Sequence, residues 1–260
     1  MLQISPILAF DDNYIWCIEN EQFAYVVDPG EAAPVIDYLE KKQLSLRGIL
    51  ITHHHADHIG GIKSLKAWQQ AQGQPEFDIF APNTARFPFA TVSLNEGDLV
   101  ELEAVAFQLQ VMEVPGHTKD HIAFVNNDAL FCGDTLFSAG CGRLFEGNAE
   151  QMQANFERFN ALPESTQIYC AHEYTRANVD FALAVWPENT DINDYSEWVN
   201  QQRAQGIPTL PGSIGQEKKI NPFMNADSIE LKKNVEQHFN STYTSPVDVF
   251  SALRSWKDNF

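Results

Sequence analysis

The chain has 260 residues, 44% of them apolar, and a formal net charge of −18. That apolar share supplies a core for one large domain, or for one domain with a smaller appendage, and excludes a disordered chain. The acidic mean field repels nucleic acid and anionic membrane, so neither is expected as a partner, whereas a small anionic substrate can still be met by a local basic patch. Basic residues are concentrated after residue 200, at Arg203, Lys218, Lys219, Lys232, Lys233, Arg254 and Lys257.

Met1 to Phe10 carry no Lys or Arg ahead of their apolar stretch, are interrupted by Pro6 and run into Asp11 and Asp12, so no secretory signal is expected. No apolar run reaches membrane-spanning length. Cys17, Cys132, Cys141 and Cys170 lack the paired spacing of a structural zinc site or a disulfide framework. They read as small buried apolar residues of a cytoplasmic protein.

In chain order, β-rich runs bounded by turn signals predict strands at 14–18, 23–28, 48–52, 78–81, 107–114, 122–125 and 130–132. Helical spacing appears at 33–43, 59–70 and 150–160. From about Tyr174 the β-branched runs fade and helical patterns take over, at 176–186, 194–205, 228–239 and 247–257. A strand-rich domain over 1–173 and a helical domain over 174–260 are therefore expected. The stretch 206–222, with Pro208, Pro211, Gly212 and Gly215, reads as an irregular connection. No internal repeat or low-complexity tract is visible.

The richest local signal is Thr52-His53-His54-His55-Ala56-Asp57-His58, between a strand and the pair Gly60-Gly61. In extended backbone, side chains two apart share a face, so His53 and His55 can converge on one ion while His54 points elsewhere. Asp57 and His58 fall where the chain turns into a helix and can address a neighbouring ion. The same design, a polar ligand just past an apolar strand, recurs at Gly116-His117-Thr118, Gly133-Asp134-Thr135 and Ala171-His172-Glu173. Singly, each would be an ordinary turn residue or cap. Together they give five imidazoles and two carboxylates, enough for two ions if one carboxylate is shared. Asp28, before Pro29-Gly30, is either a turn opener or an outer acceptor for a ligand imidazole, and His121 is either structural or a neighbour that orients a ligand.

The segments T-H-H-H-A-D-H, P-G-H-T, G-D-T-L-F and A-H-E-Y-T together resemble the metallo-β-lactamase superfamily and, within it, the glyoxalase II (hydroxyacylglutathione hydrolase) family. The resemblance implies an αβ/βα sandwich followed by a helical domain. It implies one metal on His53, His55 and His117, a second on Asp57, His58 and His172, and Asp134 bridging them. It also implies that Tyr174 contacts the glutathione moiety and that Arg254 and Lys257 grip a glutathione carboxylate. Where the family often shows Lys and Tyr, this chain has Arg143 and Phe145, so a cation is kept and a phenolic hydroxyl is absent. Asp120 stands where the family usually has Gly, and Asp tolerates a left-handed backbone better than most residues.

The activity so implied is hydrolysis of S-D-lactoylglutathione to D-lactate and glutathione, the second step of methylglyoxal detoxification, by a monomer. Two divalent ions about 3.5 to 4 Å apart lower the pKa of a shared water toward neutrality, so the expected nucleophile is hydroxide held by the ions, with Asp57 and Asp134 closest to the chemistry. A thiol leaving group, with a pKa near about 8.5, needs little proton assistance. Imidazole and carboxylate donors suit zinc first, with iron or manganese as alternatives. Rival readings are a persulfide dioxygenase using one iron on the same scaffold, a β-lactam hydrolase or lactonase, and a non-catalytic metal-binding protein. Structural zinc sites are closed by four protein ligands, whereas seven ligands over two ions leave positions open, which favours catalysis.

Overall fold

The structure, a computed structural model, describes residues 1–260. It divides into two compact units, Met1–Glu113 with Asp120–Asn126 and Phe131–Gly133, and Val114–Lys119 with Asn127–Leu130 and Asp134–Phe260.

In the first unit the elements are β1 (Gln3–Ala9), β2 (Asn13–Glu19), β3 (Phe23–Val27), α1 (Ala33–Lys42), β4 (Ser45–Leu50), α2 (Ala56–Ile59), α3 (Ile62–Ala71), β5 (Asp78–Pro82), β6 (Val92–Leu94), β7 (Leu99–Leu102), β8 (Phe107–Glu113) and β9 (Ile122–Val125). Strands β1 to β6 form one sheet in sequential order. The β1-β2-β3 pairs are antiparallel and the β3-β4-β5-β6 pairs parallel. Strands β7, β8 and β9 form an antiparallel meander.

Strand β1 carries no alternation strong enough to be read in advance, and Pro6 argues against it. Its place at the sheet edge removes that objection, because a proline there forfeits no ladder bond that a neighbour needs. Helix α1 starts with a proline in its first turn, buries Val35 and Leu39 four residues apart and ends with Gln43 left-handed at φ 57°. These side chains join Ile15, Val26, Ile49, Ile51, Leu65 and Ile79 in one apolar core. The helix read over 59–70 is two helices. Gly60 and Gly61 lie between them, where a Cβ would come 2.7 Å from the Gly30 carbonyl oxygen or 2.6 Å from that of Pro29, so only glycine fits this close approach.

Strand β10 (Ala129–Gly133) is divided between the units. The second unit holds β11 (Leu136–Phe137), β12 (Gly140–Cys141), α4 (Ala149–Asn160), β13 (Gln167–Cys170), α5 (Thr175–Val185), α6 (Thr190–Ala204), β14 (Gly212–Ser213), α7 (Ile214–Ile220), α8 (Ile229–Phe239) and α9 (Pro246–Asp258). Helices α4 and α9 each open on a capping box, Asn148 with Gln151 and Ser245 with Asp248. Phe156, Phe223 and Phe250 meet with ring centroids 5.2 to 6.4 Å apart and form an aromatic core.

The stretch 206–222 is not irregular throughout. Residues 212–220 make a short strand and a helix, whose buried Ile214, Glu217 and Ile220 are too few for a readable period amid flanking Pro and Gly. All four cysteines are free thiols and buried. No helix is long and apolar enough to cross a membrane.

Candidate metal centre

In the first unit, the parallel pairing of β3 with β4 sets Val27 opposite Leu50, so both chains leave the sheet at the same edge. Asp28 therefore emerges beside Thr52. The Asp28 carboxylate accepts from the Thr52 amide at 2.7 Å, from the Thr52 hydroxyl at 2.6 Å and from His58 Nδ1 at 3.0 Å. These bonds hold Asp28 at φ 53°, a left-handed backbone that a residue other than glycine keeps only when its surroundings insist. Next to it, Asn13 at the start of β2 donates to Asp57 Oδ2 at 3.1 Å. The His121 ring stacks on His53 with centroids 4.6 Å apart and planes at 15°, so His121 is a wall for that imidazole.

The hydrogen bonds fix the tautomers. Thr52 gives its one hydroxyl proton to Asp28, so its oxygen accepts from His53 Nδ1 at 3.1 Å. His58 Nδ1 likewise donates to the carboxylate of Asp28. Each imidazole is then left with a lone pair on Nε2. His53 Nε2 faces His55 Nδ1 at 3.1 Å, and His58 Nε2 faces Asp57 Oδ2 at 3.5 Å. Lone pairs on the buried His53 and His58 that face the partly exposed His55 and Asp57 suit a cation between them, a proton or a metal ion. Asp28, His53 and His58 also form a group whose ligand atoms lie within 4.8 Å of one another.

The second unit repeats this logic. His117 Nδ1 donates to the Arg143 carbonyl at 2.8 Å, which leaves Nε2 as an acceptor 3.4 Å from Asp134 Oδ2. His172 Nε2 lies 3.4 Å from the other oxygen, Oδ1. One carboxylate thus has an imidazole on each oxygen. The donor set suits divalent ions of the zinc, iron or manganese type. Asp134 is delivered just past β10, and a Cβ at Gly142 would collide with its carbonyl, so the return strand lies against it at backbone contact.

Around this triad, the His172 and Tyr174 rings stack, Phe137 packs on Tyr174 at 5.1 Å, and the half-exposed Phe145 packs edge-on against His117 at 5.2 Å. Arg143 Nε lies 3.4 Å from Asp258 Oδ1, and Arg254 Nη2 donates to the same oxygen at 3.0 Å. Arg254 is buried and donates from Nη1 to the Cys141 carbonyl at 2.7 Å, so it also ties β12 to α9. Lys257 Nζ donates to the Ala177 carbonyl at 2.8 Å and sits over the Phe181 ring. Burial, with the Arg254 charge nearby, lowers its pKa to about 8.

Beneath the β11-β12 hairpin, the buried Glu217 carboxylate accepts from the Ser138 hydroxyl, the Ala139 amide and the Asn221 amide at 2.8 to 2.9 Å. Burial nevertheless raises its pKa to about 7.

The first unit thus gathers His53, His55, Asp57 and His58. The second gathers His117, Asp134 and His172 with Phe145 and Tyr174, and links Arg143 to Arg254 through Asp258. Asp120 is not left-handed. Its carboxylate lies 3.1 Å from His54 Nδ1 and 3.5 Å from Arg86, which holds His54 to the side. Sequence reasoning missed Asn13, Thr52, Glu217 and Asp258. Only Thr52 carried a signal, as the opening residue of the histidine segment.

Known proteins match the chain over its whole length. Residues 9–172 match the family model for the metallo-beta-lactamase superfamily, and residues 173–260 match that for the hydroxyacylglutathione hydrolase C-terminus. The chain is 47% identical to a hydroxyacylglutathione hydrolase of Vibrio parahaemolyticus over 100% of both chains. It is 42% identical to one of Nitrosomonas europaea, over 100% of this chain and 97% of that one. Among solved structures it resembles ETHE1 from Myxococcus xanthus, with TM-score 0.62 and 24% identity over 99% and 98% of the two chains. It also resembles the BLEG-1 B3 metallo-beta-lactamase, with TM-score 0.60 and 21% identity over 86% and 99%. At those identities the structures speak for the fold alone, the metallo-β-lactamase α/β sandwich. With its full-length relatives and both family models in agreement, the chain belongs to the hydroxyacylglutathione hydrolase family of the metallo-β-lactamase superfamily.

Proposed function

We infer that the chain hydrolyses the thioester of S-2-hydroxyacylglutathiones, with S-D-lactoylglutathione as the first candidate, giving the 2-hydroxy acid and glutathione. In this reading it is a metal-dependent thioester hydrolase, with a metal-binding domain over 1–173 and a substrate-contacting helical domain over 174–260. His53, His55 and His117 would hold one divalent ion, and Asp57, His58 and His172 would hold a second. Asp134 serves both, and zinc is the preferred metal. The observation that carries the reading is the Asp134 carboxylate with His117 Nε2 on one oxygen and His172 Nε2 on the other, each at 3.4 Å.

When bound, such ions make a nucleophilic water available near neutral pH and polarise the thioester carbonyl. The protein's own groups do the remaining work. Asp28 and the Arg143 carbonyl keep protons on the Nδ1 atoms of His58 and His117, and Thr52 does so for His53, which leaves the Nε2 lone pairs of these three imidazoles for an ion. Arg143, Arg254 and Lys257 offer cations to the glutathione carboxylates, and Phe145 and Tyr174 offer ring faces. The thiolate leaves without a dedicated acid because its own pKa is near about 8.5. The chain is taken to act as a cytoplasmic monomer.

The test is a metal count on the purified protein beside the loss of thioester from S-D-lactoylglutathione. Two ions per chain with turnover are expected. A single iron with oxygen-dependent persulfide turnover, or bound metal without thioester hydrolysis, would overturn the reading.

A further inference from the structure

We propose that Asn13 is a positioning residue for Asp57, setting the carboxylate that completes the second metal site; the proposal rests on the two-ion reading above. Of the proposed donors in the first unit, His53 and His58 are fully buried, and the latter is locked by Asp28. Asp57 is different. Its side chain is 40% exposed, and an exposed carboxylate samples several rotamers unless something holds it.

The turn between β1 and β2 supplies the hold. Ala9 pairs with Asn13, so only Phe10, Asp11 and Asp12 make the connection. Phe10 is left-handed at φ 49°, its amide donates to the Glu31 carboxylate at 2.7 Å, and its ring edge lies 2.8 Å from where a Gly30 Cβ would be. The same Cβ would lie 1.9 Å from the Asp57 carbonyl oxygen, so turn, Gly30 and Asp57 backbone are stacked in contact. This fixes the first residue of β2 against Asp57. Asn13 is 7% exposed, in a strand buried at every position, where an amide without a partner is costly. Its Nδ2 donates to Asp57 Oδ2 at 3.1 Å, the oxygen that also lies 3.5 Å from His58 Nε2. The amide therefore keeps the carboxylate turned toward the imidazole with which it would share an ion. A leucine of similar volume would fill the space and lose the donor.

The experiment is a competitive Zn(II) titration of metal-free protein against a chromophoric chelator, with circular dichroism and thermal melts of the metal-free state. Wild type, Asn13→Ala, Asn13→Leu and Asp57→Ala are compared. Both Asn13 variants are expected to bind the second Zn(II) equivalent about 10- to 100-fold more weakly, with the first equivalent unchanged. Second-equivalent affinity equal to wild type in a folded Asn13 variant overturns the proposal. A wild type that takes up one ion, or Asp57→Ala that keeps both, overturns the two-ion reading itself. Should neither Asn13 variant fold, a crystal structure of zinc-loaded wild type decides. Asn13 Nδ2 on the Asp57 carboxylate supports the role, and an amide turned away refutes it.

Discussion

The imidazole of His172 lies flat on the ring of Tyr174, with centroids 4.7 Å apart and planes at 4°. Tyr174 thus has two separable parts, a ring face stacked on a proposed ligand and a hydroxyl proposed to meet substrate. Tyr174→Ala should lower metal affinity several-fold, since a stacked pair contributes about 0.5–1.5 kcal/mol. Tyr174→Phe should keep the metal and raise KM for the glutathione thioester. Metal titration and steady-state kinetics on both variants separate the two effects.

Asp28 anchors three donors, two from Thr52 and one from His58. Asp28→Ala strands them in a dry site at about 1–3 kcal/mol each. A melting temperature lower by several degrees and a metal affinity down about 10- to 100-fold are expected. Metal affinity equal to that of the wild type would show that the imidazoles are oriented by something else.

Glu217, with its carboxyl raised to about 7 from an ordinary 4.5, holds a proton more tightly folded than unfolded. The stability this confers is complete below pH 4.5 and is lost as pH rises through 7. Glu217→Gln copies the protonated form. Its amide can donate to Ser138 while its oxygen accepts from Ala139 and Asn221. The melting temperature of the wild type should therefore fall relative to Glu217→Gln between pH 4.5 and 7. Parallel melting curves across that interval would remove Glu217 as the titrating group.

Lys257, lowered to about 8, loses its charge at mildly alkaline pH. If its ammonium grips a substrate carboxylate, KM should climb as pH passes 8, and Lys257→Arg, always charged, should flatten the climb. Arg254→Ala should raise KM more than it lowers turnover. It should also cost stability, because the Cys141 carbonyl loses its donor. An unchanged KM in Arg254→Ala takes Arg254 out of the substrate site, and a wild-type KM that stays level as pH passes 8 does the same for Lys257.

The strand ends that carry the candidate ligands were legible because apolar runs stop where polar groups begin, at 48–52, at 130–132 and before His172, whereas the sandwich was implied by the resemblance of the motifs to a known family. Helix α7 was not, since Ile214, Glu217 and Ile220 are three positions among prolines and glycines. Nor was the burial of Arg254, because a three-residue spacing to Lys257 says nothing of which face of α9 is covered. Asn13 meets Asp57 across 44 residues, and Asp258 meets Arg143 across 115, beyond the reach of any local pattern.

Gly30 meets the Asp57 carbonyl with no room for even a methyl group. The sheet rim and the histidine segment therefore share one mechanical fate, because the loop rests directly on the chain that leaves the strand. Heating should expel metal and melt the first sheet in a single cooperative event, and amide exchange at Gly30 and Thr52 should track global unfolding.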